Sequence, residues 1–268
     1  MKEMFLDFWN DPLDFVHFIE TAPTINYQYS SYFDTKPDNT NIEKFRVGEK
    51  VDIMKYKCFL DDIVCEDKVN GVAVDIVGTR PIISRVLNGN PYNMFRQYKQ
   101  KRQQLNLNIM LDMSVPANVS NGTIREIGQR VLATIEKLEL EGHSLGLIAA
   151  CGGSIGNFSS LMCVRLKDVG ENLELTKICY PLSNPNFLRK FNFYWHCLYN
   201  EIKYMSGLGQ PLDYHFSKDD ISRSVSYGIG EKTLYLPFTL FRGWDEERIF
   251  KYIKEKLETL DNSVFLDD

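Results

Sequence analysis

An aspartate closes the apolar run Leu107-Asn108-Ile109-Met110-Leu111-Asp112, and a serine follows two residues later at Ser114. A carboxylate and a hydroxyl at that spacing, on the end of a buried strand, can face one divalent cation. Hard oxygen ligands of this kind suit Mg2+. Asp112 and Ser114 are therefore the candidate metal ligands, with Mg2+ as the candidate cofactor. The competing reading is local: Asp112 accepts backbone amides of its own loop and holds nothing else. A second candidate group lies in Asp213-Tyr214-His215, with Asp219 and Asp220 close by in sequence. Loops on a rigid scaffold often carry function, although Asp-rich loops are also simply solvated.

Other catalytic patterns do not assemble. Ser114, Ser154 and Ser159 are nucleophiles by type, but none sits in a Gly-x-Ser-x-Gly elbow. Cys151 has no histidine to activate it. Gly152-Gly153-Ser154-Ile155-Gly156 fits neither phosphate-binding fingerprint and reads as a hairpin turn. His17 carries no pattern, His143 falls at a helix-to-strand turn, and His196 borders an aromatic helix face, where packing or exposure explains it. No catalytic residue is assigned. The six cysteines, Cys58, Cys65, Cys151, Cys163, Cys179 and Cys197, form no Cys-x-x-Cys pair, so buried free thiols are expected rather than zinc ligands.

Composition narrows the partners. Hydrophobic residues make up 44% and charged residues 25%, the mix of a globular protein with a sizeable core. A net charge of −5 speaks against a nucleic-acid footprint over the whole chain. The four positive charges from Arg96 to Arg102 read as a solvated connector, or else as a phosphate-contacting patch. The N-terminus lacks an export pattern, and no apolar run approaches the roughly 18 residues of a membrane span. A reducing cytoplasm is the expected compartment, with no membrane partner.

The elements that would position Asp112 alternate. A short helix is expected over Pro12–Glu20, a loop over Thr35–Thr40, a strand over Val72–Val77, a turn at Gly78–Pro81 and a short helix over Ile82–Leu87. The strand ending on Asp112 leads into a helix over Thr123–Leu140, where Ile124, Ile127, Val131, Ile135 and Leu138 form one stripe. Ser120 or Asn121 caps its start and Gly142 stops it. Strands over Ser144–Ala150 and Leu161–Leu166 form a hairpin. A second long helix opens at Asn184-Pro185, and Ser206–Glu231 reads as a long loop. A strand over Thr233–Phe238 and a helix from Asp245 complete the order. This pattern predicts an α/β fold: a three-layer, mostly parallel, Rossmann-like sheet with one antiparallel hairpin edge. The expected division is 1–104 as an irregular N-terminal α+β region packed on or preceding the core, and 105–268 as the α/β domain.

Two resemblances rest on these segments. Leu111-Asp112-Met113-Ser114, a long helix, and Leu145-Gly146-Leu147-Ile148 resemble the opening of a von Willebrand A domain. That family binds Mg2+ through Asp-x-Ser-x-Ser with a distant threonine and aspartate. Asp112 and Ser114 match the first two ligands, but Pro116 occupies the third position. The late strand runs into Thr239-Leu240-Phe241, with no acid. The resemblance thus implies a degenerate metal site. Residues 70–260, with Val72-Ala73-Val74-Asp75-Ile76, Gly89-Asn90-Pro91-Tyr92-Asn93-Met94, Leu166-Lys167-Asp168 and Asn184–Phe191, resemble an uncharacterised family of bacteriophage and prophage proteins. It implies a phage context, in the host cytoplasm or the virion, and a phage or host protein, such as an ATPase, as partner.

Three functions stay open at this point. One is a non-enzymatic protein-interaction module. The alternative is a Mg-dependent hydrolase, a phosphohydrolase or nuclease, using Asp112 with Ser114 and with Asp213 or Asp219 folded towards it. The third is nucleic-acid binding through Lys99, Lys101 and Arg102, against which the net charge argues.

Overall fold

The computed structural model describes residues 3–23, 36–49, 71–75, 80–81, 86–87, 91, 94–98, 106–155, 158–198, 218, 221–222 and 232–262. Its larger sheet has five strands: β1 (Glu3–Trp9), β5 (Asn106–Asp112), β6 (Ser144–Ile155), β7 (Phe158–Lys167) and β8 (Thr233–Pro237), in the order β1-β7-β6-β5-β8. β6, β5 and β8 run parallel, β6 and β7 form the antiparallel pair, and β1 runs parallel to β7. The α/β class and the mostly parallel sheet are as the alternating pattern implied.

The edge differs from expectation. The hairpin strand β7 is interior, because β1 lies outside it. Leu6 and Phe8 of β1 pack against a buried cluster of Met110, Ile148, Ala150, Leu161, Cys163, Tyr235 and Ile221. Alternate positions of five strands thus build one apolar face, as the period of two requires. An N-terminal strand that supplies two such residues also pairs the backbone edge that β7 would otherwise leave open.

The helices follow their local signals. In α1 (Pro12–Thr21) the Asp11 carboxylate accepts the Leu13 amide at 2.6 Å, with proline at the first turn. In α3 (Asn121–Leu140) the Ser120 hydroxyl accepts the Thr123 amide, and Gly142 beyond the end adopts φ 97°. Asn184 Oδ1 accepts the Asn186 amide ahead of a π-helical segment, Phe187–Asn192, which passes into α5 (Phe193–Leu198). The last helix, α6 (Glu246–Asn262), has Asp245 accepting the Arg248 amide.

Four expectations are corrected, and one helix was not foreseen. Helix α2 (Asn39–Val47) begins inside the stretch read as a loop, because Asp38 caps it by accepting the Asn41 amide at 2.8 Å. Helix α4 (Leu175–Ser183) carries Pro181 internally, and that proline disguised it. The charged connector contains a strand, β4 (Met94–Tyr98), and Arg80–Pro81, read as turn, is the short strand β3. The strand read as Ser144–Ala150 continues as β6 through Gly152 and Gly153, which therefore lie in the ladder and not in a turn.

The chain divides into two compact units, one of Met1–Asp62 with Leu105–Asp268, the other of Ile63–Gln104. The smaller one holds a three-stranded antiparallel sheet, β2 (Gly71–Asp75), β4 and β3, in the order β2-β4-β3. In the larger one, Phe15, Phe45, Tyr180, Phe187 and Phe191 from α1, α2, α4 and the π segment form one aromatic cluster, with the Phe45 ring centre 5.4–5.9 Å from each of the other four. Helices α3 and α4 touch at Gly128, where a Cβ would fall 2.1 Å from the Leu182 carbonyl oxygen, so only glycine fits.

Candidate functional site

Strand β5 is where the sheet order reverses. The chain leaves it through α3 to reach β6 on one side, and later returns to place β8 on the other. In open α/β sheets the carboxyl end of such a strand is the default ligand position. Asp112 sits there, opposite Ala150 of β6 and Pro237 of β8.

Asp112 and Ser114 are adjacent as expected, and both are fully buried. Their bonds point inward. Asp112 Oδ1 accepts the Ser114 amide at 3.0 Å, and Oδ2 accepts the Tyr235 hydroxyl at 2.5 Å. Ser114 Oγ accepts the Gly152 amide at 2.6 Å and donates to the Gly152 carbonyl at 3.2 Å. The Met113 amide donates to Ala150 O at 2.7 Å, which extends the β5–β6 pairing by one residue. This is the loop-capping geometry that competes with a metal site. Gly152 in the strand lets the Ser114 side chain approach both of its backbone groups. Tyr235 was not singled out from the sequence, and Gly152 was read only as part of a hairpin turn. The period-two pattern of β8 and the strand glycine were the available signals.

As a Mg2+ site this pair fits poorly. Ser114 Oγ keeps only the one lone pair that its two bonds to Gly152 do not use, in a site with no exposed surface. Pro116, at the third ligand position of the resemblance, is exposed and has no donor atom. Among the described residues, no three His, Cys, Asp or Glu side chains gather where one ion could be held. Asp213, His215, Asp219 and Asp220 lie outside the described residues.

The thiols are as expected where they are described. Cys151, Cys163 and Cys179 are buried thiols in no disulfide, and Cys197 is a half-buried thiol in no disulfide; Cys58 and Cys65 lie outside the described residues. Burial pushes the Cys151 and Cys163 thiols well above their ordinary range, and the Asp112 carboxylate pushes them further. A thiol held protonated is a poor nucleophile. Ser154 and Ser159 are register partners near the hairpin end.

One pair escaped sequence reasoning. Ser160 of β7 and His196 of α5 are both fully buried, with Oγ and Nε2 2.9 Å apart. His196 Nδ1 lies 2.8 Å from the Asn192 carbonyl, an acceptor only, so Nδ1 carries the proton and Nε2 accepts from Ser160. Burial lowers the imidazole to about 4, against the opposing pull of the Asn192 bond. Hydroxyl, base and orienting carbonyl make the layout of an activated nucleophile. Neither side chain has any exposed surface, however, so the pair works as a packed polar contact. Nothing in the local spacing links residues 36 apart.

Among the described residues, no helix is long and apolar enough to cross a membrane. The family model described as "Domain of unknown function (DUF7192)" matches residues 7–260. No curated protein and no solved structure matches the chain.

Proposed function

The chain belongs to the DUF7192 family, and we propose that it is a non-enzymatic, von Willebrand A-like protein-interaction module. The observation that carries this reading is the Ser114 hydroxyl, which is both donor and acceptor to Gly152. A hydroxyl used in this way braces two strands and gives rigidity to the rim above them. The neighbouring Pro116, Ala117 and Asn118 are exposed on that rim. Loops on a rigid scaffold are where partners are met. The likeness of residues 70–260 to phage proteins supports a phage or host protein as the partner, in the host cytoplasm or the virion.

The test compares thermal unfolding in EDTA with unfolding in millimolar Mg2+ or Mn2+, for the native chain and Asp112→Asn. A ligand that binds only the folded state raises the midpoint by mass action. The expected result is no metal-dependent shift in either protein. A shift in the native chain that Asp112→Asn abolishes would overturn the reading in favour of the Mg-dependent hydrolase. A photocrosslinking residue at position 117 should also capture a discrete partner protein in the producing cell, while one at position 256 on α6 should not.

A further inference from the structure

Three consecutive side chains of α5 reach three different places in the N-terminal part and β7. Tyr194 donates its hydroxyl to the Pro23 carbonyl, just past the end of α1, at 2.5 Å. Trp195 donates its indole N–H to Asp7 Oδ2 of β1 at 3.0 Å. His196 accepts the Ser160 hydroxyl of β7 at 2.9 Å. In the β1–β7 register Asp7 stands opposite Met162, and Phe5 opposite Ser160. Opposed positions share a face. β1 therefore runs directly beside the serine that His196 engages.

The two N-terminal elements are anchored unequally. Phe15, Val16 and Ile19 of α1 are buried, and Phe15 packs on Phe45 and Phe191. β1 is an end strand of its sheet, and Leu6, Asp7, Phe8 and Trp9 are each only half-buried. A terminal edge strand of this kind belongs to the part of a fold that opens most readily.

The surroundings of His196 favour its neutral form. Glu3 and Asp7 of β1 hold positions on the same face as Ser160, and Asp7 is engaged by Trp195. Cys151 of β6 is also on this face, and burial keeps its thiol protonated. Arg165 of β7 lies over Phe8, on the other face. On α1, Asp14, His17 and Glu20 are exposed. On the π segment, Lys190 is half-buried and Arg189 is turned to Asn121 and Val119. Tyr194 and Cys197 complete the titratable groups of α5. Burial outweighs them, and it lowers the ring to about 4. A proton on Nε2 makes both ring nitrogens donors, so the ring no longer accepts from Ser160.

We propose that β1 is an acid-released edge strand with His196 as its trigger: a proton on His196 breaks the contact with Ser160 and lets β1 leave β7, while α1 stays docked. With β1 in place the ring titrates at about 4, and once water reaches it, at the ordinary 6.5. The open form takes the proton first, so falling pH favours opening. The backbone edge of β7 is then bared to a second strand. The inference does not rest on the reading of Asp112 and Ser114.

The test is hydrogen exchange of the full chain at pH 7.5 and pH 4.5. It is followed at the Leu6 and Phe8 amides of β1, at Val16 and Ile19 of α1, and at Ile109 and Met110 of β5. After correction for intrinsic rates, the opening constant of β1 should rise roughly 70-fold between the two conditions. The β1 amides should exchange with little dependence on urea, and those of α1 and β5 with the full dependence of global unfolding. His196→Gln, which stays neutral, should remove most of the rise. Glu3→Gln with Asp7→Asn, which removes the carboxylates, should keep it. Full urea dependence at Leu6 and Phe8 would overturn the proposal, because β1 would then leave only with the whole chain. So would a rise that His196→Gln keeps, or one that the carboxylate variant removes. If His196→Gln does not fold, Trp195→Phe takes its place. It should speed β1 exchange at both pH values and leave their ratio unchanged, and unaltered β1 exchange would sink the idea.

Discussion

Two polar groups are sealed inside the same sheet, and they differ in what each leaves over. At the end of β5, Asp112, Ser114, Tyr235 and Gly152 are joined by four hydrogen bonds. Beside β7, Ser160 and His196 are matched, and His196 is tied to the Asn192 carbonyl. The Asn192 side-chain amide, also fully buried, has no hydrogen-bond partner among the described residues at either its nitrogen or its oxygen. The first group is a brace whose members hold one another. The second is a titratable contact next to a polar group that costs stability. A buried polar cluster stabilises a fold only to the extent that its members are satisfied.

The brace should be the harder one to lose. Asp112→Ala strands the Tyr235 hydroxyl and the Ser114 amide at once, and at about 1–3 kcal/mol for each orphan the loss should be about 4 kcal/mol, read by urea unfolding. A loss under about 1 kcal/mol would show that the carboxylate is not holding those groups.

Acid should attack the other group next. The folded His196 titrates at about 4, below the ordinary 6.5. The unfolded chain therefore binds the extra proton first, and the stability from this residue is intact above 6.5 and declines as pH falls towards 4. The loss across that window is on the order of 3 kcal/mol, given about 1.4 kcal/mol per unit. Unfolding followed between pH 7 and pH 4 should show a slope that His196→Gln flattens. An unchanged slope would mean that other groups carry the acid sensitivity.

Ser114→Ala isolates the link between β5 and β6. It leaves the Gly152 amide and carbonyl without the hydroxyl, and should cost about 2 kcal/mol. Hydrogen exchange at the Gly152 amide should accelerate in the variant more than exchange at Leu147, further down the strand. Equal protection at both would show that the bond is dispensable.

The smallest effect has the opposite sign. Asn192→Leu replaces an unpartnered buried amide with an apolar group of similar volume, and should leave stability unchanged or raise it by up to about 1 kcal/mol. A marked loss would reveal that the amide has a partner after all, such as a buried water.

Much of the fold could be read from local pattern. The stripe Ile124, Ile127, Val131, Ile135 and Leu138 is the buried side of α3 as its spacing implied. Capping residues located helix starts at Asp11, Ser120 and Asn184 because each acts on an amide two or three residues away. The same chemistry misled at Asp38-Asn39-Thr40, where residues common in loops were beginning a helix. Pro181 hid α4 and the basic residues hid β4, since breaker and charge signals outweigh a short period. At the candidate site, Asp112 and Ser114 could be identified as neighbours, but the partners that occupy them could not.

By itself the sequence determined most of the helix and strand types, the polarity of their faces, and the placing of a carboxylate at the end of a buried strand. Those features depend on residues within a turn or two of one another. Tertiary structure alone decided that the N-terminal strand closes the sheet beside β7, that Ser114 reaches Gly152 38 residues away, and that Tyr235 reaches Asp112 across 123 residues. Hydrogen-bond partners and local fields are set by distance in space, and no spacing along the chain encodes which distant strand will lie next to which.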